Sequence, residues 1–245
     1  MKTTENQHIE KRKIEKKFLV PNAITICNLF LGYISIIMTM NGKYINACWF
    51  IVIAMIADTL DGKTARKLNA FSEFGKELDS FCDAISFGIA PAILIYSLLK
   101  EFHPVKELAI IISFIFAMCG VLRLVKFNIV TEASDSKADF SGMPIPSAAG
   151  LVVSYYIFTN AIFGEFIYIN LFFAISIISA LLMVSTIKFR LPGKVFYFIP
   201  KKLNFPIFLV LLVFMKYTML PVLVVYSLIN LFVAFNKRFT YGKEE

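Results

Sequence analysis

Charge is scarce in this chain. Only 17% of its 245 residues are Asp, Glu, Lys or Arg, where a soluble domain carries about a quarter. Histidine is scarcer still, with His8 and His103 the two examples. No Ser–His or Cys–His pair therefore stands out as a nucleophile with its base. Four cysteines, Cys27, Cys48, Cys82 and Cys119, all fall inside apolar runs, and no Cys-x2-Cys pair occurs. That excludes a zinc ribbon or a disulfide framework and leaves small buried residues. No small-residue cleavage site follows the first apolar run, so no cleavable signal peptide is expected. Short strands of alternating polarity are missing too, which argues against a membrane barrel.

What fills the chain instead is apolar sequence, 58% of the residues, arranged in long runs. A helix needs about 20 such residues to cross the hydrocarbon core, and helices satisfy their own backbone polar groups there. The expected fold is an all-α polytopic membrane protein with about eight transmembrane helices. The runs fall at 20–41, 44–66, 73–99, 107–129, 146–163, 166–187, 205–217 and 219–236. The last two meet at Tyr217 and Thr218, which reads as a tight hairpin. The organisation expected is a basic juxtamembrane segment (1–17), a six-helix catalytic core (18–190), and a C-terminal hairpin with a basic tail (191–245). In the first segment Ile14 and Phe18 sit four apart among Lys11, Arg12, Lys13, Lys16 and Lys17, a pattern suited to lying on an anionic membrane surface.

The net charge of +8 would raise nucleic acid as a partner in a soluble protein. Here the basic residues flank apolar runs, so membrane topology accounts for them and no nucleic acid is expected. With the N-terminus in the cytoplasm, Lys43, Lys100, Lys106 and Lys216 fall outside and the other 21 of the 25 Lys and Arg fall inside. That asymmetry predicts an integral cell-membrane protein with both termini in the cytoplasm, which requires an even number of spans.

The acidic residues are concentrated. Asp58 and Asp61, at i and i+3, share one face near the cytoplasmic end of the second run, and Ala65 continues it. Asp79 and Asp83, at i and i+4, open the third run, with Gly75 four earlier on the same stripe. Two consecutive spans in opposite directions can bring the four carboxylates together. On insertion scales an aspartate at mid-bilayer costs about 2.5–3.5 kcal/mol, so four approach ~10–14 kcal/mol. Hard divalent cations with oxygen ligands relieve both that cost and the mutual repulsion, and Mg²⁺ favours a few carboxylates plus substrate phosphates. Two ions bridged by shared carboxylates would seat a pyrophosphate. Gly62 and Ala65 leave room for a bulky group, Arg66 can pair with phosphate, and Gly75 permits close approach. The carboxylates taken alone also fit an intramembrane prenyltransferase or a cation transporter. A prenyltransferase would carry its acidic motifs on well-separated helices, and a transporter would continue polar residues through the apolar outer halves of the spans.

The full string, Asp58-x2-Asp61-Gly62-x2-Ala65-Arg66-x8-Gly75-x3-Asp79-x3-Asp83, resembles the CDP-alcohol phosphatidyltransferase family at every motif position. The resemblance implies a helical membrane fold and transfer of a phosphatidyl group from a CDP-lipid to an alcohol, releasing CMP. It implies Asp58, Asp61, Asp79 and Asp83 as ligands of a divalent metal, Mg²⁺ or Mn²⁺, with two ions expected. It also implies Asp83 as general base, and Gly62, Ala65, Arg66 and Gly75 beside the cytidine nucleotide. Flanking motifs are similar to the phosphatidylserine synthase branch: Pro21-Asn22-x2-Thr25-x2-Asn28, Ser86-Phe87-Gly88-Ile89-Ala90-Pro91, Arg123-Leu124-x-Lys126-Phe127-Asn128 and Gly142-Met143-Pro144-Ile145-Pro146. Lys126 departs from the small residue expected there. This likeness implies CDP-diacylglycerol and L-serine as substrates. It adds Thr25 and Asn28 to the CDP-lipid site and assigns Ser86, Arg123, Lys126 and Asn128 to the serine carboxylate or a phosphate. The prolines and glycines of these motifs also read as helix starts, loop formers and packing contacts. Glycerol 3-phosphate or inositol phosphate as acceptor, and an archaeal ether lipid as donor, stay open. Members of the family often form homodimers, which makes a second copy an implied partner.

Overall fold

The computed structural model describes residues 16–133, 142–189 and 214–241. Eight α-helices cover most of these: α1 (Lys16–Met40), α2 (Tyr44–Lys67), α3 (Glu73–Asp83), α4 (Ala90–Phe102), α5 (Glu107–Ala133), α6 (Ile145–Phe163), α7 (Ile169–Val184) and α8 (Met215–Tyr241). A π-helical segment, Ala84–Ile89, joins α3 to α4 without a break in the rod. Six spans are long and apolar enough to cross a membrane; α3, the π segment and α4 count as one, Glu73–Phe102. The 16-residue α7 is shorter than the 166–187 run from which it was expected.

Two departures concern the C-terminal third. Tyr217 and Thr218 lie inside α8, where Thr218 Oγ1 and both backbone N–H groups bond to the Phe214 carbonyl. The turn expected at those residues is therefore absent, and the helix begins at Met215. The rest of the 205–217 run falls outside the described residues, so eight spans are not counted here. Residues 1–15, 134–141, 190–213 and 242–245 lie outside them as well. With them go most of the basic N-terminal segment and the cations Lys137, Arg190, Lys194, Lys201 and Lys202.

Packing follows from what each helix shows its neighbours. The Ile145–Phe163 and Glu73–Phe102 spans have 67% of their apolar windows buried, against 17% for Met215–Asn236, so they form the centre and α8 the periphery. α2 and α8 flank α6, α1 lies along α2, and α5 runs between α4 and α7. The buried faces are built of small residues: Ala47, Cys48, Ala54 and Ala57 on α2, Ala148, Ala149 and Gly150 on α6. In lipid, burial of apolar surface does not drive association, and close contact between small residues does. Large apolar side chains point outward, as at Phe30, Phe114 and Phe232, each about 60% exposed (59%, 64% and 65%). That is the inverse of a soluble protein and marks the lipid-facing surface.

The Gly142–Pro146 motif is structural. Gly142 has φ +90; its N–H donates to the Ile187 carbonyl at 2.8 Å, and the Met143 N–H donates to the Leu182 carbonyl at 2.9 Å. A Cβ on Gly142 would collide with the Met183 carbonyl. The motif thus ties the start of α6 to the end of α7. Ile145 then fills the space beside Gly88 and Gly120.

Candidate active site

The site forms where α2 turns back into α3. α2 ends on Arg66 and Lys67, cations at the negative end of the helix dipole. Asn69 takes the left-handed conformation (φ 48), the Ala70 N–H bonds to the Ala65 carbonyl and the Asn69 N–H to the Arg66 carbonyl. This double-bonded helix ending reverses the chain within a few residues. Ser72 then caps α3 by accepting from the Gly75 N–H at 3.0 Å. A Cβ on Gly75 would press on Ser72 Oγ and on Asn22 Oδ1 of α1, so α1 and α3 approach closely there.

The hairpin brings Asp58, Asp61 and Asp79 together, one oxygen from each lying within 4.8 Å of the others. Asp61 Oδ2 and Asp79 Oδ1 are buried and have no hydrogen-bond partner. Buried anionic oxygens left unsatisfied call for a cation, and oxygen-only ligands suit Mg²⁺ or a similar hard ion. A divalent metal therefore fits these residues. Asp83, the fourth carboxylate, adjoins this cluster at its Asp58 edge. One turn beyond Asp79, it lies against Asp58 and accepts from Asn28 Nδ2 at 3.3 Å.

A cavity of about 350 Å³ opens beside Asp61 and Asp79. Thr25, Gly62, Ala65, Arg66 and Gly75 line it, together with Lys76, Phe71 and Phe127. It joins Asp61 and Asp79 to cations and an aromatic wall.

A family model described as CDP-alcohol phosphatidyltransferase matches residues 18–186. The chain belongs to the CDP-alcohol phosphatidyltransferase family. A CDP-diacylglycerol–serine O-phosphatidyltransferase of Helicobacter pylori is 36% identical over 83% of this chain and 82% of its own. An archaetidylserine synthase of Methanothermobacter thermautotrophicus is 36% identical over 73% of this chain and 72% of its own. A CDP-diacylglycerol–serine O-phosphatidyltransferase of Bacillus subtilis is 40% identical over 55% and 73%. Membership removes the prenyltransferase and the transporter as readings of the carboxylates. It also makes the chain a membrane transferase with a site for a divalent metal.

The remaining residues singled out from the sequence divide. Asn28 does not line the cavity; it is fully buried one turn deeper, on Asp83. Ser86 is also fully buried, and its Oγ donates to the Asn28 carbonyl at 3.1 Å. Asn128 pairs with Ser80 of α3 at 3.1–3.3 Å, tying α5 to α3. Arg123 lies over the Phe127 ring, 5.9 Å from its centroid, with a buried Nε that has no partner. Lys126 is half-buried. His103 stacks on Phe173 beyond the far end of α4, away from the carboxylates, and takes no part.

Three features escaped the sequence. Lys76 and Phe71 line the cavity; both sit next to motif positions, and that proximity was the available signal. The third is the π segment directly after Asp83. Pro91 has no N–H and its ring would clash with the Phe87 carbonyl in a regular helix; the widened turn, with the Ala90 N–H bonded to the Ile85 carbonyl, relieves this. The available cue was Pro91 itself, a helix-disrupting residue inside an unbroken apolar run.

Proposed function

We propose that this chain transfers the phosphatidyl group of CDP-diacylglycerol to the hydroxyl of L-serine, yielding phosphatidylserine and CMP. The observation that carries the reading is the cluster of Asp58, Asp61 and Asp79 beside a cavity with Arg66 and Lys76, in a chain whose relatives bear serine phosphatidyltransferase names. The cavity takes the cytidine nucleotide: Gly62, Ala65 and Gly75 leave it room, Thr25 borders it, and Arg66 and Lys76 supply cationic donors for phosphate oxygens. Asp58, Asp61 and Asp79 would hold a divalent metal, Mg²⁺ or Mn²⁺, with Asp83 completing a two-ion set. A metal bound there neutralises charge developing on the pyrophosphate.

Asp83 takes the proton from the serine hydroxyl. Its place at the edge of the cluster, against Asp58, and its hydrogen bond from Asn28 support this role. The serine oxygen then forms a bond to the phosphorus that carries diacylglycerol, the bond from that phosphorus to CMP breaks, and the proton stays on Asp83. Among the described residues His103 lies far from the carboxylates, so no hydroxyl of the site is paired with a histidine base, which supports direct displacement. Arg123 and Lys126 supply positive charge for the serine carboxylate. The distribution of Lys and Arg supports a cytoplasmic side for this chemistry and for both termini.

The lipid half of the donor has a second reading. The archaetidylserine synthase relative covers nearly three-quarters of the chain, and the acidic motif contacts the nucleotide end, so a CDP-ether lipid is the alternative donor. The test uses purified protein, Mn²⁺ or Mg²⁺, CDP-diacylglycerol, and serine, glycerol 3-phosphate or inositol phosphate in turn. CMP release is expected with serine. Faster release with either phosphorylated acceptor would overturn the assignment.

A further inference from the structure

The serine that follows the last motif aspartate is tied to α1 in two ways. Ser86 Oγ, fully buried, donates to the Asn28 carbonyl at 3.1 Å. Within a helix the carbonyl of residue 28 also accepts from the N–H of residue 32, so a hydroxyl that reaches it lies over residue 32. That residue is Gly32, and a Cβ there would come within 2.7 Å of the Ser86 Cα and collide with its Oγ. The bond and the missing side chain share one cause: α1 and the π segment meet at backbone distance at Ser86, which only glycine permits.

The contact bears on Asp83 because little else fixes Asn28. Among the described residues its side chain makes one bond, from Nδ2 to Asp83 Oδ1 at 3.3 Å, and its Oδ1 is buried without a partner. Where Nδ2 lies thus depends on where the α1 backbone lies. α1 faces lipid along most of its length, with 28% of its apolar window buried, so deep packing does not set its register. Two close approaches do. Asn22 lies against Gly75 on one side of Asn28, and Gly32 against Ser86 on the other. At 3.3 Å the Asn28–Asp83 bond is already long for N–H···O, and a slip of α1 by a few tenths of an ångström loses it.

We propose that Ser86 is a positioning residue for Asp83: by holding the Asn28 carbonyl against the π segment it sets the register of α1 and so aims the Asn28 amide at the carboxylate. This rests on the reading of Asp83 as the base in phosphatidyl transfer and deepens it. Ser86 lines no part of the cavity and acts through Asn28. The signature of such a role is narrow. A hydroxyl that bound substrate would change KM. One that held only the fold would change stability at constant turnover per folded molecule. A residue that aims the base changes kcat, and does so only while Asn28 is there to be aimed.

The experiment measures kcat, both KM values and thermal unfolding with CDP-diacylglycerol, Mn²⁺ and serine. It compares the purified full-length wild type, Ser86→Ala, Asn28→Ala and the double variant. Ser86→Ala should lower kcat about 10-fold, the effect of losing one hydrogen bond to a charged group. Both KM values should stay within about twofold of wild type. In the Asn28→Ala background the same substitution should change kcat by less than about twofold. Ser86→Cys, which fills the space and keeps a weak donor, should give a kcat between those of wild type and Ser86→Ala. The same comparison made with Ser86→Cys decides the matter if the alanine variant does not fold. A Ser86 variant with wild-type kcat overturns the proposal. So does one that raises the KM of serine instead, or one whose loss is undiminished in the Asn28→Ala background. If glycerol 3-phosphate proves the better acceptor, the proposed function fails, and the same kcat ratios measured with that acceptor decide the role of Ser86.

Discussion

At the scale of single residues the four aspartates have unequal surroundings. Asp61 and Asp79 carry unsatisfied buried oxygens within a three-carboxylate cluster, whereas Asp83 is hydrogen-bonded to Asn28. Their substitutions should therefore differ in kind. Asp79→Asn should raise the Mn²⁺ concentration needed for half-maximal activity, because a metal oxygen is lost. Asp83→Asn should lower kcat by roughly 10²–10⁴, the range of general-base catalysis, with the protein still folded in the membrane. A metal titration of each variant checks this, and near-normal turnover in Asp83→Asn would remove it as the base. The aspartates were legible in the sequence because spacing alone puts each pair on one helix face. The Asn28–Asp83 bond was not, since it joins residues 55 apart and depends on the register of α1 against α3. The contacts of Ser86 with Asn28 and Gly32 were hidden for the same reason.

At the scale of elements, the spans were readable and their ends were less so. Apolar length locates a helix in lipid, but the side chain of Thr218 bonds back to Phe214 within the helix, so a polar residue that looks like a turn is satisfied without one. The π segment escaped because Pro91 marks a disturbed helix without saying whether a kink or a widened turn relieves it. The glycines offer a quantitative test of how elements are joined. Gly142 and Gly164 both have left-handed backbone, φ +90 and +75, but a Cβ meets the Met183 carbonyl at Gly142 and nothing at Gly164. Gly164→Ala should cost about 1–2 kcal/mol, the left-handed penalty alone. Gly142→Ala should cost more, because the α6–α7 connection has to shift as well. Thermal unfolding of the two variants in the same detergent measures the difference; equal losses would show that the contact with Met183 does not constrain the fold.

At the scale of the whole molecule, the charge asymmetry makes a claim about sidedness. A maleimide that cannot cross membranes should label Lys106→Cys from outside intact cells and should reach Lys67→Cys only after permeabilisation, in a Cys27→Ser background because Cys27 is exposed. The reverse pattern would invert the topology and put the carboxylate cavity on the wrong face for a cytoplasmic acceptor. The fold class and the family were legible from hydropathy and one motif, while the contacts between helices, such as Asn28 with Asp83 and Asn128 with Ser80, were not. The central claim is that the carboxylate cluster supports metal-dependent transfer of a phosphatidyl group from a CDP-lipid to serine. The most direct measurement quantifies CMP and phosphatidylserine in one reaction of purified protein, with Mn²⁺ and then with excess chelator. The account predicts the two products in equal amounts, both abolished by chelation and restored by added metal. CMP formed without phosphatidylserine, or formation of both products undiminished by the chelator, would contradict it.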